Sequence, residues 1–179
     1  MHDKDCSQSQ LAPSFLPATA VLEMTFACNH ACLFCSCPWE SENSNYKKEK
    51  ELDFDEWKAL IFKLSRMGVS NLAFTGGEAL LKDRLLELIE FAANLSVPYT
   101  ETVDGKLQTK IIPPKLYLLS NGKNMSFEAL EVCEKYSVHL SMSLPGLTTY
   151  EKHTGNAGTK TTEILYWFSE AQKRTSSDI

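Results

Sequence analysis

The feature that most constrains this chain is a short loop that holds four of its six cysteines. Residues 27–38 read Ala-Cys-Asn-His-Ala-Cys-Leu-Phe-Cys-Ser-Cys-Pro, with thiols at Cys28, Cys32, Cys35 and Cys37. The first three follow the spacing Cys-x3-Cys-x2-Cys, so their sulfurs can converge only if the backbone curls around a common centre. The fold must therefore support this segment, the cysteine loop, around something bound at that centre.

Crowded thiolates repel one another, and such crowding is typical of a soft metal ion or an iron-sulfur cluster. A structural zinc site takes four protein ligands, commonly as two separated cysteine pairs. No second pair follows here, since Cys133 is the only later cysteine. A 4Fe-4S cluster held by Cys28, Cys32 and Cys35 would have one iron without a protein ligand, and that iron could bind a substrate or cofactor.

Two other readings of the loop stay open at this point. Cys37 could complete a four-thiolate zinc or iron site, and His30 lies within the loop as another candidate ligand. Either would make the chain a structural metal-binding module.

Strand and helix patterns alternate along the rest of the chain. Alternating polar and apolar residues predict strands at 21–26, 69–75, 116–119 and 138–144. Helices are predicted to start at Asp53, where Glu56 completes a capping box, and at Ser126, with others after Gly77 and near Ile164. Such alternation implies parallel strands joined by right-handed crossovers.

The fold class predicted is α/β, specifically a partial (β/α) barrel. Three of the four strands keep a polar row, unlike parallel strands covered by helices on both faces. This pattern favours an open, curved sheet with helices outside and a wet concave face inside, with function at the carboxyl ends of the strands.

A β-hairpin is predicted as an insertion at residues 97–114. Two β-prone arms flank Asp104-Gly105, a strong hairpin turn signal. This connection is expected at the end of the sheet away from the cysteine loop, as a support or partner surface.

The cysteine loop lies directly after a strand, Phe34 precedes its third cysteine, and Gly76-Gly77-Glu78 follows the next strand. In this order the motifs resemble the radical S-adenosylmethionine (radical SAM) family. The resemblance implies that Cys28, Cys32 and Cys35 hold a 4Fe-4S cluster whose fourth iron is chelated by SAM. It also implies that the reduced cluster cleaves SAM to methionine and a 5'-deoxyadenosyl radical.

The same resemblance implies SAM-binding roles elsewhere in the chain. Gly76, Gly77 and Glu78 would hold the amino group of SAM, Ser120 and Ser143 would assist, and Phe34 would pack near the adenine. The competing interpretations are plain turns at Gly76-Gly77 and Ser120-Asn121-Gly122, a backbone-bonded Ser143 hydroxyl and a core role for Phe34. Ser143-Leu144-Pro145-Gly146 lacks the acidic residue that follows this serine in many relatives, and no catalytic side chain is assigned.

The family core usually has six strand-and-helix units, whereas only four are found here. We therefore predict that residues 20–179 form an incomplete core. Residues 1–19, which are mostly polar, are predicted to be a leader. The core would be either truncated or completed by a partner. Loss of the later strands also allows a degenerate scaffold that keeps a cluster without catalysis.

Composition narrows the class of protein and its partners. A 179-residue chain with 43% hydrophobic residues is typical of a globular domain. A net charge of -5 disfavours nucleic-acid binding. The absence of an apolar span or signal sequence predicts a cytoplasmic protein, where clustered cysteines favour metal ligation over disulfides.

The family resemblance also implies partners for this chain. It implies an electron donor such as flavodoxin or ferredoxin and, in the most similar branch, a peptide or protein substrate.

Overall fold

The computed structural model describes residues 18–37, 50–155 and 158–174. Most of the predicted polar leader, Cys6 and the polar segment after Cys37 lie outside these ranges. Within them the helices and strands follow the predicted alternation.

Six strands and five α-helices make up the described fold. The strands are β1 Thr19–Glu23, β2 Asn71–Thr75, β3 Val97–Val103, β4 Lys106–Ile112, β5 Lys115–Ser120 and β6 His139–Met142. The helices are α1 Phe54–Arg66, α2 Leu85–Ala93, α3 Phe127–Lys135, α4 Tyr150–His153 and α5 Thr161–Arg174, with a short 3₁₀ helix at Ala79–Leu81.

The main sheet has four strands in the order β1-β2-β5-β6, and every neighbouring pair is parallel. The predicted parallel α/β architecture is therefore confirmed. β3 and β4 form a separate antiparallel hairpin around Asp104-Gly105, also as predicted. The hairpin forms a groove with the amino ends of the parallel strands, between residues such as Tyr99 and Lys115. It therefore lies at the end of the sheet away from the cysteine loop.

Local sequence accounts for the start of α1. Asp53 caps the helix by accepting from the Glu56 main-chain N–H, and the Glu56 carboxylate accepts from the Asp53 main-chain N–H. This is the reciprocal capping box predicted from the spacing. Trp57 and Ile61, one turn apart, then lie buried against the sheet.

Helices cover only one face of the sheet among the described residues. Leu22, Leu72, Phe74, Leu116 and Leu118 of the strands are buried in one core with residues of α1, α2 and α3. α5 packs beside them, since Ala171 shares a smaller core with Met142 of β6. The alternate strand residues face the other way, and Val21 is 63% exposed and Leu119 39% exposed. This open inner face agrees with a partial barrel.

Several strand boundaries differ from the sequence prediction. β2 begins at Asn71 rather than at residue 69, and the largest differences are in β1 and β6. β1 was expected over residues 21–26, but its last pair joins Glu23 to Thr75. The regular ladder ends there because β2 itself stops at Thr75, before Gly76-Gly77. Beyond this pair, Met24 N donates to Thr75 O at 2.9 Å and Gly77 N donates to Thr25 O at 2.8 Å. β6 is likewise shorter than residues 138–144.

None of the described helices is long and apolar enough to cross a membrane.

Candidate functional site

The cysteine loop begins directly beyond the carboxyl end of β1 and is tied there by Glu51. One carboxylate oxygen of Glu51 accepts from the Thr25 hydroxyl and from the Phe26 N–H, both at 2.7 Å. Its other oxygen lies 3.2 Å from the Lys82 ammonium. Burial by itself would raise the pKa of the Glu51 carboxyl, but these hydrogen bonds and Lys82 outweigh it and hold that pKa below its usual value. The start of the loop is thus fastened by a charged acceptor.

The Gly76-Gly77 turn packs directly on the same segment. Gly77 N donates to Thr25 O, and Glu78 N donates to Ala27 O, both at 2.8 Å. A Cβ on Gly77 would lie 2.3 Å from Ala27 O and 2.9 Å from Phe26 O. Only glycine lets the two backbones approach this closely, which is a packing role that the motif alone did not reveal.

We expect Gly77→Ala to destabilise the chain by about 3 kcal/mol, because the added methyl would meet backbone atoms that cannot move independently. Gly105→Ala is the matched control. Gly105 has a φ of +74° but nothing within 4 Å of an added Cβ, so that change should cost only the backbone strain, about 1 kcal/mol. Urea unfolding of both variants checks this order, and equal losses would contradict the packing role of Gly77.

Glu78 lies at the centre of the site and is only 1% exposed. One carboxylate oxygen accepts from the Ser120 hydroxyl at 2.8 Å and from Leu80 N at 3.0 Å. The other accepts from Asn121 N at 2.7 Å. The carboxylate therefore ties the carboxyl end of β5 to the turn after β2.

Two further segments hold the cysteine loop from the sides. Asn29 is hydrogen-bonded to the turn after β5 through Asn121 and Asn124. On the other side, Ala31 N donates to Thr154 O at 3.2 Å and Leu33 N donates to His153 O at 2.9 Å. The loop is therefore supported at both sides as well as at its start.

These elements line an open cavity of about 380 Å³ at the carboxyl ends of the parallel strands. Eight of the nine residues predicted for cluster and SAM binding line it, namely Cys28, Cys32, Phe34, Cys35, Gly77, Glu78, Ser120 and Ser143. The ninth, Gly76, lies beside it, with its carbonyl oxygen 4.0 Å from the Cys37 sulfur. Phe34 is 56% exposed, so the core role considered for it is wrong.

The loop sulfurs lie close enough to influence one another. Burial raises the pKa of the Cys32 thiol, and the neighbouring Cys28 and Cys35 raise it further. Burial, a hydrogen bond with Cys35 and nearby charges raise the pKa of Cys37 to about 12. Both shifts favour the protonated thiol, so binding a metal to either sulfur would release a proton.

The candidate metal-binding side chains do not converge on a single point in this structure. Within the described residues, no three histidine, cysteine or acidic side chains lie close enough to hold one metal ion. A cluster places a different demand on its ligands, because each cysteine binds its own iron.

Sequence reasoning missed three residues that build the site. Tyr150, to which the sequence gives no site role, is 1% exposed and lines the cavity. Its pKa is raised to about 12 by burial and then by Cys32 and the acidic residues Glu163 and Glu78. Glu51 and Asn121 were given no individual role. For Asn121 the signal was its place in Ser120-Asn121-Gly122, at a strand end beside a predicted site residue.

Comparison with known proteins identifies a family and several relatives. A family model described as the Radical SAM superfamily matches residues 22–179. The PqqA peptide cyclase of Bradyrhizobium diazoefficiens is 35% identical over 97 residues, which is 54% of this chain and 24% of that protein. The sporulation killing factor maturation protein SkfB of Bacillus subtilis is 29% identical over 147 residues, 81% of this chain and 30% of that protein. The chain thus spans less than a third of the length of these curated relatives.

Proposed function

Since this chain belongs to the radical SAM superfamily, we propose that it binds a 4Fe-4S cluster and SAM and cleaves SAM reductively. The observation that carries the proposal is the single cavity that Cys28, Cys32 and Cys35 share with Glu78 and Ser120. This cavity lies at the carboxyl ends of the parallel strands, where such folds bind their ligands.

The residues present suit the proposed cofactors. Three thiols on one loop supply soft donors, and the pKa of Cys32 responds to both of the other two. The cavity volume, about 380 Å³, falls within the range of small-molecule sites. We therefore assign the cluster to Cys28, Cys32 and Cys35. When bound and reduced, the cluster would supply the electron that converts SAM to methionine and a 5'-deoxyadenosyl radical.

The chain's own residues would orient SAM. An ionised carboxylate accepts about four hydrogen bonds, and Glu78 already accepts three from Ser120, Leu80 and Asn121. About one acceptor site is left for the amino group of SAM. We assign the remaining contacts to Gly76, Gly77, Ser120 and Ser143, and a stacking role to Phe34 beside the adenine. Tyr150, buried at the cavity wall, would exclude water from it.

For the substrate we propose a peptide or protein. The support comes from the relatives, because one is named a peptide cyclase and another a maturation protein. The inner face of the sheet offers a route to the cavity, since Val21 and Leu119 are exposed there. An electron donor such as flavodoxin or ferredoxin and a cytoplasmic location complete the proposal.

The test is low-temperature EPR of the anaerobically reconstituted, dithionite-reduced chain, with and without SAM. We expect the signal of a reduced 4Fe-4S cluster that changes when SAM is added, because SAM would ligate the open iron. Retained zinc without a cluster signal would overturn the proposal in favour of a structural metal module. A cluster that does not respond to SAM would favour a non-catalytic scaffold.

A further inference from the structure

We infer that Asn121 is a positioning residue that donates a hydrogen bond to the sulfur of the cluster ligand Cys28 and thereby raises the reduction potential of the cluster. The inference rests on the proposed function, because it requires a cluster on Cys28. It concerns a residue outside the three-cysteine and Gly-Gly-Glu motifs.

The Asn121 side chain has a defined direction. Its Oδ1 accepts from the Lys123 main-chain N–H at 2.9 Å. A backbone N–H can only donate, so the amide oxygen must face Lys123 and the NH₂ group must face the cysteine loop. The orientation therefore follows from a neighbour whose role is unambiguous.

The NH₂ group of Asn121 has two hydrogens and two acceptors near it. Asn121 Nδ2 donates to Asn29 Oδ1 at 2.7 Å and lies 3.9 Å from the Cys28 sulfur. Sulfur is larger than oxygen and accepts at longer distances. Asn29 is held in turn, because its own Nδ2 donates to Asn124 Oδ1 at 2.7 Å. One hydrogen thus secures the loop while the other is available to the ligand sulfur.

A hydrogen bond to the Cys28 sulfur would change the electrostatic potential at the cluster. Reduction makes the cluster and its thiolates more negative, and hydrogen bonds to the sulfurs are one determinant of cluster potential. The positive end of an N–H bond at Cys28 stabilises the reduced state more than the oxidised state. Removing it should therefore lower the potential.

Asn121 also connects the two halves of the site through its backbone. Its main-chain N–H donates to Glu78 Oε2 at 2.7 Å, while its side chain reaches the loop. A change of side chain leaves the bond to Glu78 in place. The side-chain effect can therefore be measured without removing the link to the Gly-Gly-Glu turn.

The experiment is an EPR-monitored redox titration of the reconstituted chain without SAM, so that SAM affinity does not enter. We expect a more negative cluster potential in Asn121→Ala. Asn121→Asp should shift the potential further, because a carboxylate would face the thiolate. This second variant keeps the size of the side chain and its bond from Lys123. Iron and sulfide content per chain shows whether each variant carries a full cluster.

The matched control is Asn29→Ala, which removes the Asn121–Asn29 bond but keeps the amide beside Cys28. Its potential should equal that of the unsubstituted chain. An unchanged potential in Asn121→Ala, or an equal shift in Asn29→Ala, would overturn the inference and leave only a loop-anchoring role. Absence of any cluster from the unsubstituted chain would overturn the proposed function as well, so the two failures are distinguishable.

Discussion

Cys32→Ala is expected to abolish assembly of the 4Fe-4S cluster. Cys32 is the central ligand of the proposed set, and it lies in the cavity with Cys28 and Cys35 on either side in sequence. A cluster with two protein ligands would lose a further iron contact and dissociate or degrade. Iron and sulfide analysis, with the optical spectrum after anaerobic reconstitution, measures the loss.

Two further cysteine variants test whether loss of the cluster is confined to the three proposed ligands. Cys37→Ala should retain the cluster, since only three cysteines are proposed to bind it, although Cys37 lies in the same cavity. Cys133→Ala should also retain it, because Cys133 is buried in α3 within the hydrophobic core. If Cys37→Ala lost its metal to the same extent as Cys32→Ala, the site would have four thiolate ligands and the structural-module interpretation would be favoured.

Glu78→Ala is expected to give the largest loss of stability of any single change at the site, about 4 kcal/mol in the cofactor-free chain. The substitution leaves the Ser120 hydroxyl, Asn121 N and Leu80 N without their shared acceptor. Each buried donor left unpaired costs about 1–3 kcal/mol. Urea unfolding of the cofactor-free chain separates this structural effect from any loss of SAM binding.

Two further variants bracket the effect. Glu78→Gln keeps the shape and one acceptor oxygen, so its loss should be smaller, about 2 kcal/mol. Glu87→Ala removes an exposed carboxylate whose partner is the exposed Arg84, and surface ion pairs of this kind contribute little. Similar unfolding midpoints for Glu78→Ala and Glu87→Ala would mean that the carboxylate does not tie β5 to the turn after β2.

Much of the fold was predictable because its signals are local. The capping box at Asp53 and Glu56 needs only a three-residue spacing, and the Asp104-Gly105 turn needs only two residues with suitable backbone preferences. Strand ends were less predictable. β1 stops at Glu23 because its partner β2 ends at Thr75, and no pattern within residues 21–26 reveals where a distant strand ends.

The residues of the site fall into the same two groups, those with a local signal in the sequence and those without one. Cys28, Cys32, Cys35 and the Gly-Gly-Glu turn could be proposed as site residues because their spacing and order resemble a family pattern. The bond from Asn121 to Asn29 could not, because it joins residues 92 positions apart. Nor could the burial of Tyr150, since this residue lies within a Gly-rich and Thr-rich segment, residues 145–160, that has no periodic pattern of apolar residues.

The sequence by itself determined the α/β class, the parallel order of strands and helices and the three-cysteine loop, because these depend on residue types at short spacings. Only the tertiary structure decided which donors meet which acceptors. Parallel strands bring their carboxyl ends to one edge of a sheet, so the sequence could place Glu78 and Ser120 near each other. The direct contacts depend on the packing of separate segments. That packing brings the Glu78 carboxylate within hydrogen-bond distance of Ser120 and Asn121. It also brings the backbone of Gly77 into close contact with that of Ala27.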